Sequence, residues 1–307
     1  MTVKIDDIAY VRHAVPDLER MSEFLVHFGL QVTKGSDGRI YGIGTGTAPF
    51  VYAAEPGEPR LCAIGLRARS VADLVELAAN EGVTVETSRA PGGGKLLSLF
   101  DPDGHRIEVV AGQEFKPDST VAASRPCNDS LVKRRVSEAL RLQGGSSHVQ
   151  RIGHCVLAIS DFDRSFDWYR KRFGMIASDT FSIDGETTIG AFLRCDRGDL
   201  PADHHTLALI PSDPARGTLH TAFEVADFDD LMLGHTYLSN LGLYEHVRGI
   251  GRHILGSQVF DYWNDPWGNE FEHWTDGDLF TASDAKDCPR SMMDLIGTQW
   301  GKPIMAG

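Results

Sequence analysis

The residues best suited to chemistry are concentrated near the C-terminal end of this 307-residue chain. In one stretch, His253, Tyr262 and Glu272 follow one another at spacings of 9 and 10 residues, around an Asp-Pro-x-Gly turn. Two further histidines, His154 and His220, stand upstream at the starts of apolar segments. Two imidazoles and one carboxylate can hold a non-haem Fe(II) ion on one face and leave the other face open to substrate and O2. The sequence therefore predicts an enzyme.

The elements that carry these residues belong to an internal repeat. The segments that begin at Ile5 and Val149 both indicate a strand, an Asp, an amphipathic helix and a Phe-Gly pair before a second strand. The segments from Ile64 and Thr221 repeat a strand and a helix that ends at a Gly turn, and DPDGHRIEVV parallels DPWGNEFEHW. We therefore expect two similar β-α-β units in each half of the chain.

The repeat divides the chain into two predicted domains, residues 1–112 and 148–280. The segment between them, 113–147, breaks the pattern and is predicted to be an interdomain linker. It begins with Pro and Ser, ends in Gly-Gly-Ser-Ser, and has the apolar spacing of one helix from Leu131 to Leu142. Residues 281–307 show no clear periodicity and are predicted to be a tail that wraps the surface.

On these motifs the chain resembles the type I extradiol ring-cleavage dioxygenases of the vicinal-oxygen-chelate superfamily. The resemblance covers nearly the whole chain, and its most specific part is the GRH…Y…DPxGxxxE block. It implies an α+β fold of two domains, each of two βαβββ modules that form a barrel-like curved sheet. It also implies a metal-free N-terminal domain and a catalytic C-terminal domain in which His154, His220 and Glu272 are the metal ligands.

The repeat provides an internal control on that ligand set. In the N-terminal domain, Tyr10 and a position near Ala63 take the places of the two histidines. Only Glu108 matches a ligand, Glu272. One carboxylate cannot hold a divalent ion in competition with water. We therefore expect no metal in the N-terminal domain and a structural role for Glu108.

The resemblance implies three further site residues. His205 would face bound O2, stabilise its developing charge and shuttle a proton. Its neighbour His204 is the competing assignment, because strand alternation lets only one of the two face the metal. The family's His-x-x-Ala spacing, here ending at Ala208, favours His205. His253 and Tyr262 would hydrogen-bond the substrate oxygens, with Tyr262 helping to deprotonate the substrate or to steady the phenolate, and His253 orienting the ring.

The predicted function is an Fe(II)-dependent extradiol dioxygenase that cleaves a catechol-type ring with O2 in the degradation of aromatic compounds. Mn(II) suits the same ligands. One alternative within the family is cleavage of a hydroquinone or a trihydroxylated ring. Two others share the fold but not the oxidation, namely a metal-dependent glyoxalase or epimerase and a non-catalytic binding protein. Metal analysis separates a binding protein, which would carry no stoichiometric iron, from the enzymes.

Composition limits the partners and the compartment. A formal net charge of −13 argues against nucleic acid, because a duplex-binding protein usually presents a basic face. No apolar run approaches the ~20 residues of a membrane helix, and the N-terminal residues lack signal-peptide features. Five cysteines without a CxxC pair fit a reduced, cytoplasmic protein. By family resemblance, we expect a homo-oligomer.

Overall fold

The repeated segments of the sequence form four modules of one type, two in each half of the chain. The computed structural model describes residues 2–119, 126–183, 185–284 and 288–301. Within those residues, each module runs strand, helix and three strands, and the third module has one additional two-residue strand. The predicted α+β fold, with paired βαβββ modules in each half, is confirmed. The domain boundaries remain predictions.

The N-terminal half forms one sheet. Its strands are β1 (Ile5–Val15), β2 (Gln31–Lys34), β3 (Ile40–Ile43), β4 (Tyr52–Pro56), β5 (Arg60–Ala68), β6 (Glu86–Thr87), β7 (Lys95–Phe100) and β8 (Arg106–Ala111). In space they follow the order β2-β3-β4-β1-β5-β8-β7-β6. The first strands of the two modules, β1 and β5, run antiparallel at the centre. The two modules are therefore arranged about an approximate twofold axis between these strands.

The C-terminal half repeats this plan. Its strands are β9 (Val149–Ile159), β10 (Ile176–Ser182), β11 (Thr188–Arg194), β12 (Ala202–Asp203), β13 (Leu207–Pro211), β14 (Thr218–Val225), β15 (His246–His253), β16 (Val259–Asn264), β17 (Glu270–Thr275), β18 (Leu279–Phe280), β19 (Cys288–Ser291) and β20 (Thr298–Gly301). In the described part of the chain, the main sheet has the order β19-β10-β11-β13-β9-β14-β17-β16-β15-β20. Without its two outermost strands, this is the order of the N-terminal sheet. β12 and β18 pair separately.

The main helices begin and end at capping residues. The helices are α1 (Leu18–His27), α2 (Val71–Glu81), α3 (Phe162–Phe173), α4 (Phe228–Leu241) and α5 (Met292–Ile296). Asp17 and Asp161 occupy equivalent places in the repeat; Asp17 accepts two hydrogen bonds and Asp161 one from backbone N–H groups of the first helical turn. Gly174 ends α3 in the left-handed conformation that Gly adopts without strain. No helix among the described residues has the length and apolar character needed to cross a membrane.

The two halves share one apolar core. Phe28, which follows α1, packs edge-to-face on Phe271 of β17, with ring centroids 5.4 Å apart. The ring of His273 stacks on Phe28 at 3.7 Å, and its Nε2 lies 2.7 Å from the Phe28 carbonyl oxygen. The C-terminal half also contacts the N-terminal half, since the Tyr169 hydroxyl of α3 donates a hydrogen bond to Asp101. The N-terminal half therefore packs directly behind β17 and helps to fix its position.

The segment between the halves contradicts one prediction. Residues 126–147 are described and contain no helix, although apolar spacing predicted one from Leu131 to Leu142. Leu131 and Val136 are 91% and 72% exposed. A short helix is marginal in water unless one of its faces is buried against another element. The prediction was wrong because the spacing is present but the apolar side chains face solvent.

The tail was expected to wrap the surface, but its described residues extend the C-terminal sheet at both edges. β19 pairs in parallel with β10, and β20 pairs antiparallel with β15. Between these two strands, α5 is closed at its N-terminus by a capping box of Ser291 and Asp294. The tail therefore reaches from one edge of the sheet to the other.

His13 lies in the interior between the halves. Its Nδ1 is 3.1 Å from Tyr52 Oη, and its Nε2 is 3.3 Å from Thr218 Oγ1. Burial lowers the pKa of His13 from 6.5 to about 4. Because the folded-state pKa lies below the unfolded-state value, the unfolded chain binds the proton more tightly. Stability is therefore lost as pH falls through this window.

We expect His13→Gln to reduce the acid sensitivity of the fold. Between about pH 7 and pH 4.5, chelator-treated wild-type protein should lose about 2–3 kcal/mol more free energy of unfolding than the variant. Gln can retain the contacts with Tyr52 and Thr218 but does not titrate, whereas the other buried histidines titrate in both proteins. Urea unfolding at the two pH values measures the difference. Equal losses would contradict the lowered pKa.

Candidate metal centre

Three of the predicted site residues lie on three neighbouring strands of the C-terminal sheet. Ala222 of β14 is the register partner of His154 on β9 and of Glu272 on β17. His220 stands two residues before Ala222 and so points to the same face of β14. The Nε2 atoms of His154 and His220 each lie 3.3 Å from Glu272 Oε2. The fold therefore brings the three predicted ligands to one point.

The Glu272 carboxylate is the feature best suited to bind a cation. Its side chain is fully buried, and neither oxygen has a hydrogen-bond partner among the described residues. Buried acidic groups without such partners are costly and are normally paired or bound to metal. Two ligands about 2.1 Å from one ion and about 90–110° apart stand roughly 3.0–3.4 Å from each other. The 3.3 Å separations at Glu272 therefore fit a divalent ion.

The corresponding place in the N-terminal half is closed by an ion pair. The ladder registers make Tyr10, Ala63 and Glu108 the counterparts of the three ligands. Tyr10 Oη donates to Glu108 Oε2 at 2.7 Å, and Arg12 Nη2 donates to Glu108 Oε1 at 2.5 Å. Arg12 stands where the C-terminal half has Val156. Both oxygens of Glu108 are therefore engaged by side chains of the same half.

The surroundings hold Glu272 and His220 in the ionisation states that metal binding requires. Burial opposes the charge on Glu272, but the adjacent imidazoles of His154 and His253 outweigh it and hold the pKa of Glu272 well below its usual value. Burial lowers the pKa of His220 to about 3. A carboxylate and a neutral imidazole are the forms that bind a metal ion.

His205 and His204 point in different directions. The ring of His205 lies 4.0 Å from that of His154 and 4.2 Å from that of Phe192, and it lines the cavity in front of the ligands. His204 turns towards Asp179, whose Oδ2 is 2.8 Å from His204 Nε2. The two Nδ1 atoms are 3.0 Å apart. Burial lowers the pKa of His205 well below its usual value and leaves a neutral imidazole.

His253 and Tyr262 lie on the other side of the ligand set. Tyr262 of β16 is the register partner of Glu272, and its hydroxyl oxygen lies 3.0 Å from His253 Nε2. That nitrogen is 3.6 Å from Glu272 Oε1. Burial and the charge of Glu272 raise the pKa of Tyr262 well above its usual value, so the phenol is neutral. All six residues predicted from the sequence therefore meet in one region of the C-terminal half.

These side chains open on a cavity of about 290 Å³, a volume near the lower end of small-molecule sites. Strands as far apart as β11 and β15 contribute to its wall, so the sheet curves around it. The wall away from the ligands is mainly apolar and includes Val156, Phe192, Leu219, Leu255, Met292 and Leu295. The last two belong to α5, so the tail closes part of the site.

Sequence reasoning missed a charged pair beside Tyr262. Arg248 of β15 donates from Nη2 to both carboxylate oxygens of Glu270, at 2.7 and 3.0 Å. Its guanidinium lies 4.5 Å from the centroid of the Tyr262 ring. Glu270 precedes Glu272 by two residues on one strand, so alternation alone would have placed it on the cavity face. Alternation could not have placed Arg248 on the cavity face, because two register shifts interrupt the alternation of β15.

Known proteins are similar to this chain in sequence or in structure. Metapyrocatechase 2 of Cupriavidus necator is 28% identical over 296 residues, which cover 94% of this chain and 87% of the relative. The iron-dependent extradiol dioxygenase of Rhodococcus jostii is 24% identical over 298 residues and 90% of each chain. A Mn(II)-bound glyoxalase structure from Novosphingobium aromaticivorans has a TM-score of 0.77 at 23% identity, over 98% of this chain and 92% of that one. Residues 7–109 and 151–273 match the Glyoxalase/Bleomycin resistance protein/Dioxygenase superfamily, and the chain belongs to that family.

Proposed function

We propose that this protein is an Fe(II)-dependent extradiol dioxygenase, which opens a catechol-type ring beside one hydroxyl-bearing carbon and incorporates both atoms of O2. The observation that carries the proposal is the buried Glu272 carboxylate, which lies beside the imidazoles of His154 and His220 and has no hydrogen-bond partner among the described residues. Such a set leaves up to three coordination positions open, enough for two substrate oxygens and O2. Mn(II) suits the same ligands, whereas redox-inert Zn(II) could not pass electrons from the ring to O2.

The relatives support this class of reaction. The two curated relatives are named a metapyrocatechase and an iron-dependent extradiol dioxygenase, and the matches extend over 87% and 90% of their lengths. The glyoxalase with a similar structure shows that this fold also carries other chemistry. The activity is therefore argued from the site, where the apolar cavity and the phenol-imidazole pair suit an aromatic diol.

Tyr262 and His253 would act on the hydroxyl groups of the substrate. The metal, held by His154, His220 and Glu272, would supply Lewis acidity that favours the ionised diol and a redox-active centre between the ring and O2. Tyr262 Oη and His253 Nε2 lie 3.0 Å apart, so one ring hydroxyl can reach both. His253 Nε2 can accept or share its proton, and the Tyr262 hydroxyl can donate to the resulting phenolate oxygen.

His205 would serve the O2 side. It precedes β13, whereas Tyr262 lies on β16, so the two residues flank the three ligand strands β9, β14 and β17. A buried neutral imidazole beside His154 can stabilise negative charge on O2-derived atoms through its N–H group. It can also accept a proton and return it at the end of the reaction. The apolar wall around Phe192 and Leu255 excludes water from these steps.

An oxygen-electrode assay tests the proposal directly. Protein purified anaerobically and loaded with Fe(II) or Mn(II) is offered a panel of catechols, hydroquinones and trihydroxylated rings. We expect metal-dependent uptake of one O2 per ring opened and a new visible absorbance from a semialdehyde-type product. The best substrate then distinguishes catechol cleavage from hydroquinone cleavage.

The same preparation can overturn the proposal. Stoichiometric bound metal without O2 uptake across the panel, together with isomerisation of a glutathione hemithioacetal, would show glyoxalase chemistry instead. Absence of bound metal, with tight binding of an aromatic ligand, would show a binding protein. Both results contradict ring cleavage.

Tyr262→Phe should show whether the Tyr262 hydroxyl takes part in proton transfer without affecting metal binding. We expect the metal content to stay at the wild-type level and kcat to fall by about 10²-fold, the lower part of the range for acid–base groups. Tyr52→Phe is a matched control, because Tyr52 is also buried and its hydroxyl lies 3.1 Å from a histidine nitrogen, that of His13. Single-turnover kinetics and metal analysis measure both variants. An unchanged kcat in Tyr262→Phe would exclude its hydroxyl from the reaction.

A further inference from the structure

A second group of two histidines and one carboxylate lies outside the site described above. His235 of α4, His246 of β15 and Asp261 of β16 each offer a ligand atom, and these atoms all lie within 4.8 Å of one another. His246 Nε2 is 2.7 Å from Asp261 Oδ1, and His235 Nδ1 is 3.2 Å from Asp261 Oδ2. Over the described residues, this group and the Glu272 site are the two places where such ligands converge.

Asp261 is buried and is held in place by a hydrogen bond, as carboxylate ligands of metal ions usually are. Its side chain is 0% exposed, whereas those of His235 and His246 are 25% and 30% exposed. An ion and a water molecule can therefore approach from the histidine side. Trp263 Nε1 donates to Asp261 Oδ2 at 2.7 Å, and its ring lies 4.4 Å from that of His246. Outer partners of this kind orient ligands and are common around bound metals.

We propose that His235, His246 and Asp261 form a second site, which binds a divalent transition-metal ion of the zinc or cobalt class. Water completes a four-coordinate shell. Two nitrogen donors and one carboxylate favour these ions over Ca(II) and Mg(II), which prefer oxygen ligands. Ligands of a tetrahedral ion stand about 3.3 Å apart. The His246–Asp261 contact must therefore lengthen by roughly half an ångström, which a partly exposed histidine allows.

The position of this second site suggests a structural effect on the first. Asp261 immediately precedes Tyr262, and strand alternation points the two side chains to opposite faces of β16. Asp261 meets α4 on the outer face, whereas Tyr262 faces the cavity. β15 carries His246 at one end and His253 at the other. A metal ion here joins α4 to the two strands that carry the proposed substrate-binding residues, and it stabilises their arrangement without entering the reaction.

A metal count tests the proposal, with Co(II) as the probe. Chelator-treated wild-type protein should bind two Co(II) ions per chain, and His246→Gln should bind one. The matched control is His148→Gln, because His148 Nδ1 also lies 2.7 Å from a buried carboxylate, that of Asp230, but no third ligand joins this pair among the described residues. It should bind two. Equilibrium dialysis with elemental analysis gives the counts, and circular dichroism verifies the fold.

Glu272→Ala removes the first site and allows Co(II) binding at the second site to be measured alone. It should retain one Co(II), with the visible absorbance of a four-coordinate ion, and His246→Gln in that background should weaken binding at least about 10-fold. Wild-type protein that binds no more Co(II) than His246→Gln would overturn the proposal and leave a hydrogen-bonded cluster. If the Glu272 site holds no metal, the wild-type protein should bind one Co(II) ion and His246→Gln none. That result supports the second site and contradicts only the proposed function.

Discussion

Glu272→Ala is expected to lose one metal ion per chain and at least about 10³-fold in turnover, more than removal of one neutral polar donor usually costs. The physical reason is the balance of charge at the site. Two neutral imidazoles alone leave the ion without an anionic ligand in a buried position. The substitution breaks no hydrogen bond of Glu272, since neither of its oxygens has such a partner among the described residues. The fold should therefore survive the change.

Elemental analysis and thermal unfolding check this prediction together. Wild-type protein should gain thermal stability when Fe(II) or Mn(II) is added, because an ion that binds only the folded state stabilises it by mass action. Glu272→Ala should lose most of that gain. Glu108→Gln is the matched control, because it alters the equivalent carboxylate of the N-terminal half, and it should keep the wild-type metal count. Wild-type metal content in Glu272→Ala would remove Glu272 from the ligand set.

The convergence of the three proposed ligands was predictable because the chain repeats one module. Equivalent residues of a repeated module occupy equivalent strand positions, so a register in one half has a counterpart in the other. Tyr10 opposite Gly65 corresponds to His154 opposite Ala222. The spacing between Tyr262 and the glutamate has an equally simple cause. β16 and β17 form a hairpin around the Asp-Pro-x-Gly turn, and residues equidistant from a tight turn face each other.

Features that depend on distant packing were not predictable from the same patterns. Apolar spacing from Leu131 to Leu142 satisfied the helical period, but no local pattern reports whether another element covers that face. The aromatic residues clustered around β16 and β17 carry no local signal that separates the core from a cavity wall. Trp263 and Phe271 lie in the shared core, while Phe192 from β11 lines the cavity. The approach of His235 to Asp261 likewise depends on how α4 packs against the sheet.

The N-terminal half shows how a few residue differences separate an ion-paired carboxylate from a candidate metal site. Arg12 stands in the register position of Val156, and its guanidinium neutralises Glu108 from within the fold. In the C-terminal half, the smaller apolar side chain leaves both carboxylate oxygens without a hydrogen-bond partner among the described residues and the adjacent space open. The duplicated fold therefore supplies two similar frameworks, and the residues on their central strands decide which one can hold an ion.

His205→Phe is expected to retain the metal but lower kcat by about 10²–10³-fold, within the range for a group that transfers a proton or stabilises developing charge. Phe preserves an aromatic ring beside those of His154 and Phe192, so the packing around the ligands should survive. It removes both nitrogen atoms, and with them the donor and the proton acceptor on the O2 side. Steady-state kinetics at varied O2, with metal analysis of the same sample, measure the effect.

His204→Phe is the comparison that makes the assignment of His205 specific. The two histidines are adjacent and both buried, but His204 bonds to Asp179 and does not line the cavity. It can influence the site through His205, at 3.0 Å between the Nδ1 atoms, and through Phe192, whose ring centroid lies 5.1 Å from its own. We therefore expect a loss of less than about 10-fold from His204→Phe, the size of a disturbed positioning contact. A larger loss there than in His205→Phe would reverse the assignment, and loss of metal in His205→Phe would make His205 a support of the ligands.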